Sequence, residues 1–514
     1  MRPPVRAGRA ILVPLILALS MIVPATAQAV PGYLTPQAPF LTLDATAPAG
    51  TSLLAIINSG DTLGGYTFSG LPDGIGLMPG TSPGTVDAFI NHEESRVPFL
   101  GLADFDDSSV SRLTLDSTGA VQDASVALPP SAGFIRFCSA TMVGPAQGFS
   151  DYTFLTNEES NDILDVPAGA PYGPDPALGT QRQAGYSLFL DPVSGEYRQI
   201  AGLGRMNHEN SVVVPGGWDK VAVLTGDDTF SAPSSQLYMF LSGSERTLRR
   251  DKGNLWAFRV TKTGHGRIDK TDPFNGANDY GDIQSGDDWQ GKFIRVPREI
   301  ARGLTGDAPQ TALENWSNAN NVFQFVRVED IAYDVNDPRV VYFADTSTTR
   351  LVPDPSTGRL MRGPSGTTGL YDNGRIFRME LDASDPKKVD SFSILLNGDT
   401  GGPGLPGAGA IHNPDNVATS PNSLMVQEDT AAVAPRVWRY DFATQTWSVL
   451  ATVNDADWES SGIVDASEFF GPGSWLLDVQ AHDIFVGPTD TTTTPGVTYK
   501  REGGQLLLMT VPGS

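Results

Sequence analysis

A single cysteine, Cys138, stands in 514 residues, beside only five histidines. One thiol cannot close an internal disulfide, so no covalent staple holds this chain. Basic side chains are scarce too: 35 lysines and arginines face 59 aspartates and glutamates, for a formal charge of -24. Such a surface repels nucleic acid and anionic membranes, and no partner of either kind is expected. It also repels a phosphate ester, unless bound cations reverse the local field.

Long apolar runs are missing except one, at the N-terminus. Residues 1–29 read M-R-P-P-V-R-A-G-R-A, then I-L-V-P-L-I-L-A-L-S-M-I-V-P, then A-T-A-Q-A. A basic start, an apolar core and small residues at a cleavage point make a secretory signal peptide. The apolar run is about fourteen residues long and holds prolines, whereas a spanning helix needs roughly 20 apolar residues. The reading is that residues 1–29 are removed, with Val30 near the mature start. Residues 30–514 are then a single domain, a monomer without a membrane span, periplasmic or secreted. Without the three leader arginines, 32 basic side chains remain against 59 acidic ones, a charge of about -27.

What is plentiful is short β-forming runs. V-D-A-F-I-N, Y-T-F-L-T-N, S-V-V-V-P, K-V-A-V-L-T-G-D-D, Q-L-Y-M-F-L, N-L-W-A-F-R-V, R-V-V-Y-F-A-D, G-R-I-F-R-M-E-L and R-V-W-R-Y-D recur between turn residues, among 55 glycines and 39 prolines. Helical periodicity is confined to short segments such as residues 297–303. Four stretches repeat one pattern, an aromatic strand followed by a polar turn and another strand: Y-S-L-F-L-D-P-V-S-G-E-Y-R, L-W-A-F-R-V-T-K-T-G, I-F-R-M-E-L-D-A-S-D-P and V-W-R-Y-D-F-A-T-Q-T-W. The expectation is an all-β protein, a β-propeller with inserted loops and short helices; a long β-sandwich is the alternative.

Acids and amides gather in seven clusters, read as strand ends: I-N-H-E-E (90–94), L-T-N-E-E-S (155–160), G-R-M-N-H-E-N (204–210), L-T-G-D-D (224–228), R-V-E-D-I-A (327–332), H-N-P-D-N-V-A (412–418) and V-Q-E-D (426–429). Any one of them alone reads as a solvated turn rather than a ligand set. Together, at the channel mouth of a propeller, they would repel one another unless hard cations sat between them. His92, His208 and His412 each adjoin a cluster, and each alone reads as a structural histidine. His265 and His482 carry no comparable signal. Cys138 alone reads as a small buried hydrophobe or as a ligand.

The order of these motifs resembles the PhoX-type alkaline phosphatases, over roughly residues 50–485. N-H-E-E is similar to the early N-H-E of that family, and Cys138 with the later L-T-N-E-E to its cysteine, T-P-W-G and T-C-E-E run. G-R-M-N-H-E is similar to G-R-x-x-H-E, L-T-G-D-D to Y-x-G-D-D, R-V-E-D to R-P-E, and N-P-D-N-V-A to P-D-N. The resemblance implies a propeller of about six blades whose iron (Fe3+) and calcium (Ca2+) cluster hydrolyses small phosphate esters. Carried over, Cys138 is a thiolate iron ligand, and Glu209, Glu329 and Asp415 are carboxylate ligands. Glu158, Glu159 and Asp228 complete the calcium side, with Glu93 and Asn416 as further candidates. Arg327 holds the substrate phosphate, which its planar fork suits.

The chain departs from the family pattern in three places. No Arg-Arg pair precedes the apolar run, T-P-W-G becomes T-M-V-G-P, and R-P-E becomes R-V-E. Two function classes follow: a metal-dependent phosphomonoesterase, or a non-catalytic, calcium-stabilised extracellular propeller that binds a partner or surface polymer. Cys138 and Arg327 separate them, because a calcium-only site uses neither a soft thiolate nor an anion-binding fork.

Overall fold

The computed structural model describes residues 32–229, 235–272, 275–356, 358–402, 405, 407 and 409–514. The expected leader, residues 1–29, and Val30 lie outside them. Six antiparallel blades surround a channel. Their innermost strands are Pro72–Pro79, Phe137–Val143, His208–Val214, Val328–Tyr333, Pro414–Thr419 and Glu459–Asp465, numbered here as blades 1 to 6. Each touches the next, and the sixth returns to the first.

Blade 6 closes the ring with strands from both chain ends. Its order outward is Glu459–Asp465, Ser474–Phe485, Glu502–Thr510 and then Ser52–Asn58. Strand Leu41–Leu43 adds to the outer edge of blade 5, paired with Thr446–Val453. Strand Trp289–Arg295 joins blades 3 and 4 at their outer edges, pairing with Gly253–Thr263 on one side and Lys388–Asn397 on the other.

Packing explains why the strands read as near-continuous apolar runs instead of strict alternation. Each blade is covered on both faces by its neighbours, so both sets of alternate side chains are buried. In blade 3, Val212 and Val214 enter the cluster shared with blade 4, whereas Val213 enters the one shared with blade 2. In blade 6, Leu476 faces blade 1 while Trp475 and Leu477 face blade 5. Six such apolar clusters fill the six interfaces among the described residues.

The repeated aromatic pattern marks outer hairpins. In blades 2, 4 and 5 it spans the turn from third to fourth strand, as in Arg436–Asp441 to Thr446–Val453. L-W-A-F-R-V lies instead on the fourth strand of blade 3, Gly253–Thr263. The helical segment near 297–303 is the single turn Arg298–Ala301. A longer helix, Pro309–Ala319, escapes the sequence reading: Ala308 before it offers no side-chain cap, although Pro309 at its first position is a start signal.

Candidate metal centre and active site

The seven acidic clusters divide into two kinds. M-N-H-E-N, R-V-E-D and P-D-N open innermost strands, whereas N-H-E-E, T-N-E-E, T-G-D-D and V-Q-E-D close the second strands, Thr85–His92, Thr153–Glu158, Val221–Asp227 and Ser423–Glu428. The expectation that all are strand ends is therefore corrected for three of them. Because neighbouring strands are antiparallel, the start of one and the end of the next meet at the same edge of the blade. Both kinds thus reach one end of the channel.

A second regularity aims the side chains. Each innermost strand carries one extra residue against its partner, between Pro72 and Ile75, Phe137 and Ser139, His208 and Ser211, Val328 and Ile331, Pro414 and Val417, and Ser461 and Ile463. A bulge interrupts alternation and turns consecutive side chains toward the channel. Asp73, Cys138, Glu209, Glu329 and Asp415, the first bulge residues of blades 1 to 5, line a cavity of about 500 Å³. The residues after them, Gly74, Ser139, Asn210 and Asp330, line a separate cavity at the other end, and Asn416 borders both. The partition is tight. Asn210 Nδ2 donates to Asp330 Oδ1, and Val417 N donates to Asp330 Oδ2 at 2.9 Å. A Cβ on Gly462 would come within 2.1 Å of the Asp73 carbonyl oxygen.

Cys138 stands where two carboxylate sets meet. Its Sγ lies within 4.8 Å of ligand oxygens of Asp73 and Glu93, and also within 4.8 Å of those of Glu159 and Glu209. Burial, and then the charges of Glu159, Glu93, Glu209 and Asp73, push the thiol well up from its ordinary range. Burial and mutual repulsion likewise raise Asp73, Glu159, Glu209, Glu329 and Asp415 well above ordinary carboxyls. Asp73 Oδ1 and Glu209 Oε2 are buried without a hydrogen-bond partner. Orphaned acceptors of that kind need an explanation in a folded protein. A cation supplies one, since it satisfies the oxygens and reverses the repulsion. Hard oxygens with one soft sulfur fit a mixed set of ions.

Arg327 lines the same cavity but is already engaged. Its Nε donates to Asp228 Oδ1 and its Nη2 to Asp228 Oδ2, both at 2.9 Å, and Nη2 lies 2.9 Å from Glu329 Oε1. Asp228 is thereby committed to the guanidinium while its charge still raises Glu159. Glu93 and Glu159 border the cavity. Glu158 does not: its carboxylate takes Arg182 Nη1 and Nη2 at 2.8 and 2.7 Å, with both side chains fully buried. The last strand position alternates Glu158 into the interface between blades 1 and 2 and leaves Glu159, one residue on, for the channel.

The histidines sort differently from their sequence neighbourhoods. His92 is held by Gly70 O and Ser111 Oγ at 2.8 and 2.6 Å, His208 by Thr225 Oγ1 and Gly204 O at 3.0 and 3.1 Å, and burial lowers both to about 4. His412 Nδ1 meets Asn373 Oδ1 at 2.7 Å. The histidine that lines the cavity is His482, 3.5 Å from Glu459 Oε2 and 3.7 Å from Glu502 Oε1. Burial pulls it down, but these carboxylates win and hold it well above its usual range. Sequence reading also missed Asp73, Arg136, Glu459 and Lys500. For Asp73 a signal existed: P-D-G opens an apolar strand as P-D-N and V-E-D do.

A family model described as alkaline phosphatase PhoX matches residues 138–458, more than half of the chain. The solved structure "Pseudomonas fluorescens PhoX in complex with vanadate, a transition state analogue" aligns with a TM-score of 0.59 at 15% identity, covering 94% of this chain and 97% of that one. At that identity it shows the shared fold. The soluble aldose sugar dehydrogenase of Escherichia coli in its apo-form aligns at a TM-score of 0.31 and 9% identity, over 90% of this chain and 99% of that one, too distant to carry an argument. No curated protein matches the sequence. The family match begins at the thiol around which the carboxylates gather and runs through the bulges of blades 2 to 5, and this chain belongs to the PhoX alkaline phosphatases, a metal-dependent family.

Proposed function

We propose that this chain hydrolyses phosphate monoesters at the acidic end of the channel, using iron and calcium held by the bulge residues. The observation that carries the reading is Cys138, a single thiol shared by two carboxylate sets. A soft ligand at that junction suits iron, held with Asp73, Glu93, Glu159 and Glu209. The all-oxygen side, with Glu329 and Asp415, suits calcium. When bound, these ions supply Lewis-acid polarisation of phosphoryl oxygens and offset the negative field. The calcium-only binding propeller leaves Cys138 without a role.

The chain's own groups do the positioning. Asp228 grips the Nε–Nη2 edge of Arg327 and so fixes the plane of the guanidinium over the cavity. A guanidinium held in place stabilises charge that develops on a phosphoryl group without reorganising at the moment of reaction. Burial and repulsion raise the carboxyls of Asp73, Glu159, Glu209, Glu329 and Asp415, and a cation, which binds the ionised form, opposes that rise, so its binding is coupled to proton release. We further read the apolar N-terminal run as an export signal; no described helix is long and apolar enough to cross a membrane.

The test is elemental analysis of protein purified from its native compartment, beside hydrolysis of a small phosphomonoester. Iron and calcium together with turnover are expected. Calcium alone, with Cys138 freely titrated by a thiol reagent in the folded protein, would sink the iron assignment. Absence of turnover in metal-replete protein would sink the phosphatase.

A further inference from the structure

One wall of the cavity differs from the rest. Val97, Phe99, Leu100 and Leu102 line it, on the segment that leaves the second strand of blade 1. Phe99 is 59% exposed, Leu100 89% and Leu102 41%. Phe99 and Leu102 exchange backbone bonds at 2.8 and 2.9 Å, which makes Leu100 and Gly101 the centre of a two-residue turn. Their φ values are 48° and 85°. Two positive φ values in succession favour Asn-Gly, and leucine is a poor occupant of the first. Leu100 thus combines a disfavoured backbone with an apolar side chain in water. Neither helps the fold.

The turn is nonetheless held firmly in place. On one side Thr498 N donates to Gly101 O and Lys500 N to Ala103 O, both at 2.9 Å, as Thr498–Tyr499 pairs in parallel with Leu102–Ala103. On the other, Arg136 Nη2 donates to Val97 O at 3.1 Å and its guanidinium lies 5.8 Å from the Phe99 ring centre. Arg136 stands two residues before Cys138, so the apolar tip is tied to the bulge that presents the thiol. Strained residues that persist beside a site point to a role in that site.

We propose that this turn receives the organic half of the substrate, and that the preferred esters carry an apolar aryl or alkyl leaving group instead of a sugar or polyol. The proposal rests on the phosphatase reading and deepens it. The side chains of Val97, Phe99, Leu100 and Leu102 carry no polar group to pair with hydroxyls, and Arg136 beside them is already engaged by Val97 O and Asp162. An alkyl or aryl group laid on Phe99, Leu100 and Leu102 removes apolar surface from water on both partners.

The experiment measures binding of octylphosphonate and of 2-hydroxyethylphosphonate to the metal-loaded full chain by calorimetry, with hydrolysis of octyl phosphate and glycerol phosphate in parallel. Octylphosphonate is expected to bind roughly tenfold tighter or more. Leu100→Asn, which suits the turn better, should fold at least as stably and cut that ratio by about threefold or more; Phe99→Ser should cut it too. Equal affinities, no binding of either phosphonate, or a ratio untouched by both substitutions overturns the proposal. Binding preference without hydrolysis of either ester refutes the phosphatase and leaves the apolar subsite standing. Hydrolysis of both esters with equal kcat/KM and equal phosphonate affinity does the reverse.

Discussion

Metal-free protein should lose stability as pH rises from about 5 to about 8, against the usual behaviour of carboxylates paired in the native state. Glu459 gives the worked case. Burial first, and then the charge of Asp429, raise its carboxyl from an ordinary 4.5 to about 7. Between those values the folded chain keeps a proton that the unfolded chain has released, and stability falls wherever the native state binds more protons. At about 1.4 kcal/mol per pH unit, Glu459 alone removes about 3 kcal/mol across the window. In a chain of this size that lowers Tm by a few degrees. Asp73, Glu159, Glu209, Glu329 and Asp415 are raised by the same causes and add to the slope. Bound cations keep these groups ionised in the native state, so the metal-loaded protein should show little of the decline, and added calcium should restore Tm by mass action. The assay is thermal denaturation from about pH 5 to 8, chelated and calcium-loaded, with Glu459→Gln as the control whose metal-free slope is shallower. A verified metal-free protein whose Tm is flat or rises over that range refutes the reasoning.

Three further outcomes are expected. Cys138→Ser should lower iron content and phosphomonoester turnover together, read by elemental analysis and initial rates; retained iron at full activity speaks against the thiolate. Arg327→Ala should reduce turnover by roughly 10²-fold or more, with Arg327→Lys recovering part because a point charge lacks the fork. Wild-type rates in the alanine variant would show that the pair with Asp228 is structural only. Glu158→Gln strands a buried Arg182 and should destabilise by about 3 kcal/mol in thermal denaturation, with metal content per folded molecule unchanged; metal loss at unchanged Tm would return Glu158 to the cluster.

The legible part of the site was the part written as composition at strand termini. The repeated aromatic strands were enough to reach a propeller, and the seven clusters in their order, with Cys138, to reach the PhoX family. The sequence could not say which member of each cluster faces the channel, because that is decided by a one-residue bulge and by alternation after it. Glu158 and Glu159 are neighbours in the chain, yet one is sealed against Arg182 and the other borders Cys138. Asp330 follows Glu329 and turns to the opposite cavity to meet Asn210. His482 carried no local signal because its partners, Glu459 and Glu502, come from other strands of blade 6. Arg327 was legible as a site residue, but its grip on Asp228 joins two blades and has no trace in either local motif.

The closure of blade 6 sets an order in time. Strand Ser52–Asn58 waits for Glu502–Thr510, its hydrogen-bonded partner some 450 residues downstream. Without Glu502–Thr510, no described strand ties Ser52–Asn58 to Ser474–Phe485, and blade 6 has only its two inner strands beside blade 1. Asp73, Cys138 and Glu209 come from blades 1 to 3, whereas Glu459 and His482 join the same cavity only with blade 6. The lining of the cavity is therefore complete only in the closed ring, which a strand from each end of the chain latches.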